Sequence, residues 1–97
     1  MTAFLVARVA VKDPDKFQAY AEAAGKTIAD HGGQLVQRGG FAKALAGNSD
    51  QRNIAVMQFP SLDQVDVWFD SKEYQAIIPL RDEACDMDLI AYQAPPA

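Results

Sequence analysis

His31 is the one histidine in the 97-residue chain, and it follows Ile28 at helical spacing just before Gly32 and Gly33. Imidazole is the side chain that most readily gains and loses a proton near neutral pH, and the C-terminal end of a helix favours its protonated form. His31 is therefore a candidate general acid or base, or an anchor for an anion. The alternative is structural, because the same ring could cap the last carbonyls of its own helix.

A second group of candidates lies between Ser71 and Arg81. Ser71 and Tyr74 are one helical turn apart, and Arg81 follows two turns later. A hydroxyl, a phenol and a guanidinium could together hold a small anion or a carbonyl oxygen. Tyr74 and Arg81 thus join His31 as candidate catalytic residues, and Ser71 is a candidate ligand-binding residue. The structural alternative is that Ser71 caps a helix and Tyr74 packs in the core. Arg81 would then pair with an acidic neighbour such as Asp82, Asp86 or Asp88.

Arg8 and Arg38 are cations within segments that have the pattern of strands. Arg8 alternates with apolar residues, so it either enters a polar cavity, where it would bind an anionic ligand, or pairs with an acid at the seam of a dimer. Arg38 is a second candidate for ligand binding or charge stabilisation. Tyr20 completes the set as a hydroxyl that could orient a ligand, although an aromatic residue at this helical spacing is typical of a core.

The sequence has no motif for a nucleotide cofactor, a metal site or a reactive cysteine. The chain has no glycine-rich loop that would hold a nucleotide cofactor, and no cluster of His and Cys with the spacing of metal ligands, so we expect neither a cofactor nor a metal. Cys85 is the single cysteine, and without a second cysteine or a neighbouring His we expect a buried, unreactive thiol. The chemistry would then depend on ordinary polar side chains.

The distribution of charge restricts the partners. Residues 1–60 contain seven basic and five acidic side chains, whereas residues 61–97 contain two basic and eight acidic ones. Because an acidic region repels phosphate, nucleic acid is not expected as a partner. No apolar run approaches the roughly 20 residues that cross a bilayer, so no membrane contact is expected. The N-terminus resembles a strand and not a signal peptide, which predicts a cytoplasmic location.

The hydropathy pattern predicts the elements that must position these residues. The first helix begins at Asp13-Pro14 and ends at Gly32-Gly33, and a second helical region begins at Ser61 and is interrupted or restarted at Pro79. Gly39-Gly40 indicates a bulge or a bend, or else a tight hairpin. The strand-like segments are 4–11, 34–38, 41–46, 52–59 and 87–92.

The order of elements is strand, helix, strand, strand, helix, strand. This order predicts a single ferredoxin-like α+β domain over residues 1–97, with a four-stranded antiparallel sheet, both helices on one face, and residues 94–97 as a frayed tail. The strands are nevertheless apolar on both faces, and an apolar face of this size is not stable in water. We therefore predict a homodimer in which the uncovered sheet faces pack against each other.

Several motifs resemble the domain-of-unknown-function 1330 family over about residues 3–93. They are Asp13-Pro14, His31-Gly32-Gly33, Arg38-Gly39-Gly40, Phe59-Pro60-Ser61, and Asp70-Ser71-Lys72-Glu73-Tyr74-Gln75 followed by Pro79-Leu80-Arg81. The family is similar to the dimeric α+β barrel superfamily, which includes small cofactor-independent monooxygenases, muconolactone isomerase-like enzymes and stress-responsive barrels. The resemblance implies the same fold and a dimer with the two sheets back to back, but no particular reaction.

The chain departs from the family at one position that bears on catalysis. Where family members usually have Glu-Gly at the end of the third extended segment, this chain has Ala46-Gly47. The carboxylate that could serve there as a proton acceptor is absent, which weakens any acid/base mechanism that depends on it.

Two functions remain as hypotheses. In the first, a cleft between helix and sheet binds a small anionic or carbonyl-bearing metabolite without a tightly held cofactor. If the protein is an enzyme, we expect proton transfer or cofactor-free oxygenation, with His31 as the acid or base and either Arg38 or Arg81 stabilising charge. Tyr20 and Tyr74 would orient the ligand. In the second, the protein is a non-enzymatic dimeric binding or stress-related module, which the missing glutamate favours.

Overall fold

Four strands and four helices are present in residues 2–95, the part of the chain that the computed structural model describes. The strands are β1 (Ala3–Val11), β2 (Gln34–Gly39), β3 (Asn53–Phe59) and β4 (Cys85–Gln93). The helices are α1 (Pro14–Asp30), α2 (Leu62–Phe69), α3 (Lys72–Gln75) and α4 (Ile78–Ala84). All neighbouring strands are antiparallel and their order is β2-β3-β1-β4, which confirms the predicted ferredoxin-like α+β fold.

The central strand β1 divides the sheet into two faces. Its residues Ala3, Leu5, Ala7 and Val9 are buried, and together with the helices they form the core, so we call this the inner face. The alternate residues point to the outer face. Across the strands, the register places Val6 beside Val56 and Ile90. The outer face therefore carries apolar side chains that no helix covers, as the alternation predicted.

Helix α1 has the ends that its sequence predicts. Asp13 is the N-cap, and its carboxylate accepts a hydrogen bond from the Lys16 backbone N–H at 3.1 Å, while Pro14 occupies the first turn. After the helix, Gly32 has a φ of +81°, a left-handed conformation that glycine adopts without strain. Gly33 then allows a close approach, because a Cβ there would lie 2.7 Å from both Ile28 Cγ2 and Phe59 Cζ.

The second helical region consists of three short helices. Ser61 caps α2 by accepting from the Gln64 backbone N–H at 3.1 Å, and Ser71 caps α3 by accepting from Tyr74 N–H at 3.2 Å. Pro79 lies in the first turn of α4 and so restarts the helix. Proline fits this turn because backbone N–H groups there have no partner within the helix, so its missing N–H costs no hydrogen bond. None of the helices within residues 2–95 has the length and apolar character that a membrane crossing requires.

Two predictions about β2 and the segment that follows it are wrong. Residues 41–46 form no strand, because no neighbouring strand pairs with them, and Leu45 within them is 88% exposed. The bulge lies at Val36 and not at Gly39-Gly40, since the register with β3 shifts between Leu35 and Gln37. Gly39 instead ends β2.

The tail begins later than predicted. The Ala94 N–H donates to the Thr2 carbonyl oxygen at 2.8 Å and so continues the pairing of β1 with β4. Residues 96–97 of the predicted frayed tail lie outside the described residues.

Candidate functional site

A cleft of about 510 Å³ separates α1 from the inner face of the sheet. On the helix side it is lined by small residues that follow one another at helical spacing: Ala21, Ala24, Gly25 and Ala29. A Cβ placed on Gly25 would meet no atom within 4 Å, so the cleft is open at this position. The cleft therefore exists because α1 presents short side chains where a core-facing helix usually presents large ones.

Most of the other lining residues are apolar. The strands contribute Ala7, Ala55, Met57, Leu35 and Leu89, and the helices contribute the aromatic residues Phe17, Tyr20 and Trp68. A cavity of a few hundred Å³ with this lining is the usual form of a small-molecule site. The arrangement favours a ligand with an apolar body.

Arg38 is the one charged residue among those that line the cleft, all of which belong to the described range 2–95. Asn53 is a polar residue of the lining on the same face, since it lies two positions from Ala55, the strand partner of Arg38. No carboxylate and no imidazole lies among these lining residues. The cleft thus has one positive group and a hydrogen-bonding amide, but no side chain that commonly serves as a general base.

Tyr20 connects the cleft to a buried hydrogen-bonded chain. Its hydroxyl oxygen lies 2.8 Å from that of Tyr74, and Arg81 Nη1 donates to the Tyr74 hydroxyl at 3.2 Å. Arg81 also donates to Asp82 Oδ1 at 3.3 Å. Tyr74 is fully buried, with its ring centroid 4.3 Å from that of Trp68. The structure therefore brings together Tyr20, Tyr74 and Arg81.

The surroundings of Tyr20 and Arg81, the two ends of this row of hydrogen bonds, keep Tyr20 neutral and Arg81 charged. Burial, followed by the neighbouring Tyr74, raises the pKa of Tyr20, so its hydroxyl stays protonated. Burial opposes the charge on Arg81, but its hydrogen bond to Tyr74 and the nearby Asp82 outweigh burial and raise the pKa of Arg81. A permanent positive charge thus polarises the two phenols. Tyr20 lines the cleft and Tyr74 and Arg81 do not, so Tyr20 is the phenol of this pair that can donate to a developing oxyanion.

His31 lies outside this arrangement. Its ring Nδ1 donates to the Thr27 carbonyl oxygen at 2.8 Å, and the His31 carbonyl accepts from Gln64 Nε2 at 2.9 Å. The ring therefore caps the end of α1, the structural alternative that the sequence left open, and it is not among the residues that line the cleft. The cause is its position past Asp30, at the turn that leaves the helix.

Arg8 lies on the other side of the sheet. It points to the outer face, where it pairs with Asp88 at 3.1 Å and with Asp50, and Arg52 pairs with Asp50 at 3.2 Å. The hydrogen bond from Arg8 lowers the pKa of the Asp50 carboxyl. Ser71 also lies outside the cleft lining, because its hydroxyl is used as a helix cap and donates to the Trp68 carbonyl at 2.6 Å.

Cys85 begins β4 as a buried thiol whose Sγ lies 3.4 Å from the Arg81 carbonyl oxygen. Burial raises the pKa of this thiol, which keeps it protonated and weakly nucleophilic. Within residues 2–95, no group of three or more His, Cys, Asp or Glu side chains is arranged to hold a metal ion. The cleft itself offers a metal no carboxylate or thiolate.

The small residues of α1 were not among the predicted site residues. The signal that could have found them is the run of alanine and glycine at 21, 24, 25 and 29, which leaves space on the helix face that meets the sheet. Asn53 was also missed, and a single asparagine at the start of a strand carries no such signal.

The model of a family described as "Domain of unknown function (DUF1330)" matches residues 2–94. No curated protein matches the chain. A solved structure of a protein of unknown function from Rhodopseudomonas palustris is similar to it, with a TM-score of 0.82 and 18% identity over 99% of this chain and 84% of that one.

Two further solved structures share the fold at lower identity. SnoaB, a cofactor-independent oxygenase from Streptomyces nogalater, has a TM-score of 0.71 and 11% identity over 99% of this chain and 95% of its own. A dimeric ferredoxin-like protein of unknown function from Jannaschia has a TM-score of 0.71 and 8% identity over 97% of this chain and all of its own.

Proposed function

This chain belongs to the DUF1330 family, and from the geometry of its cleft we propose that it binds a small anionic or carbonyl-bearing organic molecule without a tightly held cofactor. One observation carries the proposal: a cleft of about 510 Å³, lined by apolar residues, holds a single charged side chain, Arg38. A cavity that served packing alone would be filled, because empty apolar space weakens a core. The space is large enough for a molecule of one or two rings.

If the protein is an enzyme, the reaction that we propose is cofactor-free oxygenation of the bound molecule. The fold is shared with the cofactor-independent oxygenase SnoaB. In this chain, the Tyr20 hydroxyl would donate to a ligand oxygen on which negative charge develops, and Tyr74 and Arg81, which lie behind Tyr20 and outside the cleft lining, would polarise it. Proton transfer through His31 is less well supported, because its ring donates to the Thr27 carbonyl and does not line the cleft.

A non-enzymatic binding module is the second candidate. The observation that favours it is the composition of the cleft lining, in which no Asp, Glu or His is present within the described residues. General acid/base catalysis needs a group of suitable pKa within hydrogen-bonding reach of the ligand. Such a module would bind and release its ligand unchanged.

We further propose that the protein works as a homodimer joined through the outer face, in the cytoplasm. Ile54, Ile90 and Tyr92 on that face are between 44% and 49% exposed, and Phe4 stacks on Tyr92 with ring centroids 5.5 Å apart. A second copy of the sheet would bury this surface, and a two-fold axis would place the same residues opposite each other.

The test of the cleft is a thermal-shift screen of small organic acids, phenols and ketones with the wild type, Gly25→Leu and Lys26→Leu. We expect some compounds to raise the Tm of the wild type, and this shift to be lost in Gly25→Leu, whose new side chain grows into the cleft. Lys26→Leu adds the same side chain at the next residue of α1, which does not line the cleft, and should keep the shift.

Equal shifts in all three proteins would contradict binding in the cleft. For each compound that binds, oxygen uptake measured with an oxygen electrode separates the two candidate functions. Consumption of oxygen that Gly25→Leu abolishes supports the oxygenase, and binding without consumption supports the module.

A further inference from the structure

Arg38 reaches the cleft because of the bulge at Val36. Leu35 pairs with Met57 and Arg38 pairs with Ala55, and both partners belong to the inner face. Residues three apart in a regular strand point to opposite faces, so Arg38 would lie on the outer face if β2 were regular. The additional residue at the bulge turns Arg38 back to the face that α1 covers.

Arg38 also differs from the other arginines in its partners. Arg8, Arg52 and Arg81 each pair with an aspartate, at Asp50, Asp88 or Asp82. Among residues 2–95, the guanidinium of Arg38 has no such ion pair. No carboxylate lies in the cleft lining to repel an entering anion. In a chain with a net charge of −4, this is a local site of positive charge beside an apolar space.

We propose that the ligand of the cleft is an amphipathic organic monoanion and that Arg38 is the residue that selects it. This inference rests on the proposed function of the cleft. The apolar body lies between the small residues of α1 and the inner face, and a single carboxylate or similar group takes the fork of Arg38 donors. Asn53 lies on the same face, two positions from Ala55, the strand partner of Arg38, and its amide N–H group would complete the recognition.

The same features exclude other classes of ligand. A nucleotide or sugar phosphate carries two or more charges and many hydroxyls, whereas the lining offers one cation and is otherwise largely apolar. A neutral hydrocarbon would fill the space but leave the guanidinium without a partner. The cleft lining is thus complementary to a ring or short chain that ends in one acid group.

The experiment uses matched pairs of an acid and its neutral amide: cinnamate with cinnamamide, naphthoate with naphthamide, and cyclohexanecarboxylate with its carboxamide. Isothermal titration calorimetry gives the Kd of each probe for the wild type, Arg38→Gln, Arg38→Lys and Lys72→Gln. Trp68 is the single tryptophan and lines the cleft, so its fluorescence reports occupation of this site. Lys72→Gln removes the same charge on α3, away from the cleft lining.

We expect the wild type to bind the acid of at least one pair about tenfold more tightly than the amide. This ratio should fall to near one in Arg38→Gln, be largely restored in Arg38→Lys, and be unchanged in Lys72→Gln. Acid and amide that bind equally well to the wild type would overturn the inference but leave the proposed binding function intact, as would an unchanged ratio in Arg38→Gln. Absence of any binding and of any change in Trp68 fluorescence would overturn both.

Discussion

The hydroxyl oxygens of Tyr20 and Tyr74 lie 2.8 Å apart, although the two residues are separated by 54 positions in the sequence. This hydrogen bond joins α1 to α3, and Arg81 extends it to α4. It is buried, whereas the Lys16–Glu83 pair that also joins α1 to α4 is exposed. Removing the Tyr74 hydroxyl leaves the Tyr20 hydroxyl buried without this partner, whereas removing the Tyr20 hydroxyl leaves Tyr74 with Arg81.

We predict that Tyr74→Phe lowers the free energy of unfolding by about 1–3 kcal/mol, because the Tyr20 hydroxyl and the Arg81 guanidinium both lose a partner. The measurement is urea unfolding followed by circular dichroism. Both changes are made in the Ile90→Lys background, which we expect to be monomeric, and Tyr92→Phe is the matched control there because Tyr92 is 49% exposed in the single chain. An equal change in the two variants would contradict a structural role for the Tyr20–Tyr74 bond.

The raised pKa of Tyr20 predicts a loss of stability in alkali. Below the ordinary tyrosine pKa of about 10, Tyr20 is protonated in both the folded and the unfolded chain, so its contribution is fully present. Above that value the unfolded chain releases the proton and the folded chain does not, so stability falls as the pH rises. Urea unfolding from about pH 9 to about pH 11 should therefore show a shallower fall in Tyr20→Phe than in the wild type. Parallel curves would argue against this assignment.

Two glycines should respond in opposite ways to the same change. Gly25→Ala adds a methyl group where no atom lies within 4 Å and removes flexibility from the interior of α1, so we expect a gain of about 0.5–1 kcal/mol. Gly33→Ala places its methyl 2.7 Å from Ile28 Cγ2 and from Phe59 Cζ, and we expect a loss of about 1–3 kcal/mol. Thermal and urea unfolding of both variants checks the pair. A loss in Gly25→Ala would mean that the space beside α1 is filled.

If the outer face joins two copies of the chain, a charged residue on it should convert the dimer into a monomer. We expect the wild type to sediment as a dimer at micromolar concentration and Ile90→Lys to sediment as a monomer, because the new charge would face the two-fold copy of the same sheet. Val67→Lys is the control on α2, where the original side chain is 54% exposed, similar to Ile90 at 48%. A wild type that sediments as a monomer would remove the dimer from the proposal.

The local signals in the sequence predicted most of the fold. Asp13, Ser61 and Ser71 cap helices where the capping pattern indicated, and Pro79 restarts one. These features depend on neighbouring residues only. The strand predicted over 41–46 failed because apolar alternation does not show whether a partner strand is near, and partners are fixed by the whole topology.

The candidate site was less accessible to sequence reasoning. The pairing of Tyr20 with Tyr74 is a contact between distant segments, and no local pattern encodes it. Arg38 was expected in the site, but its orientation depends on the bulge at Val36, whereas the sequence indicated a bulge, a bend or a tight hairpin at Gly39-Gly40. His31 was placed correctly at the end of α1, yet the direction of its ring follows from the turn at Gly32, which only the structure gives.

The bulge at Val36 has an effect on the free margin of the sheet as well. β2 is a terminal strand in the order β2-β3-β1-β4, so among residues 2–95 no strand pairs with one side of its backbone. A regular strand in this position is a template on which another chain can add, and this addition is a common first step of aggregation. By twisting the margin out of line, one inserted residue removes that template from the same strand whose arginine it orients.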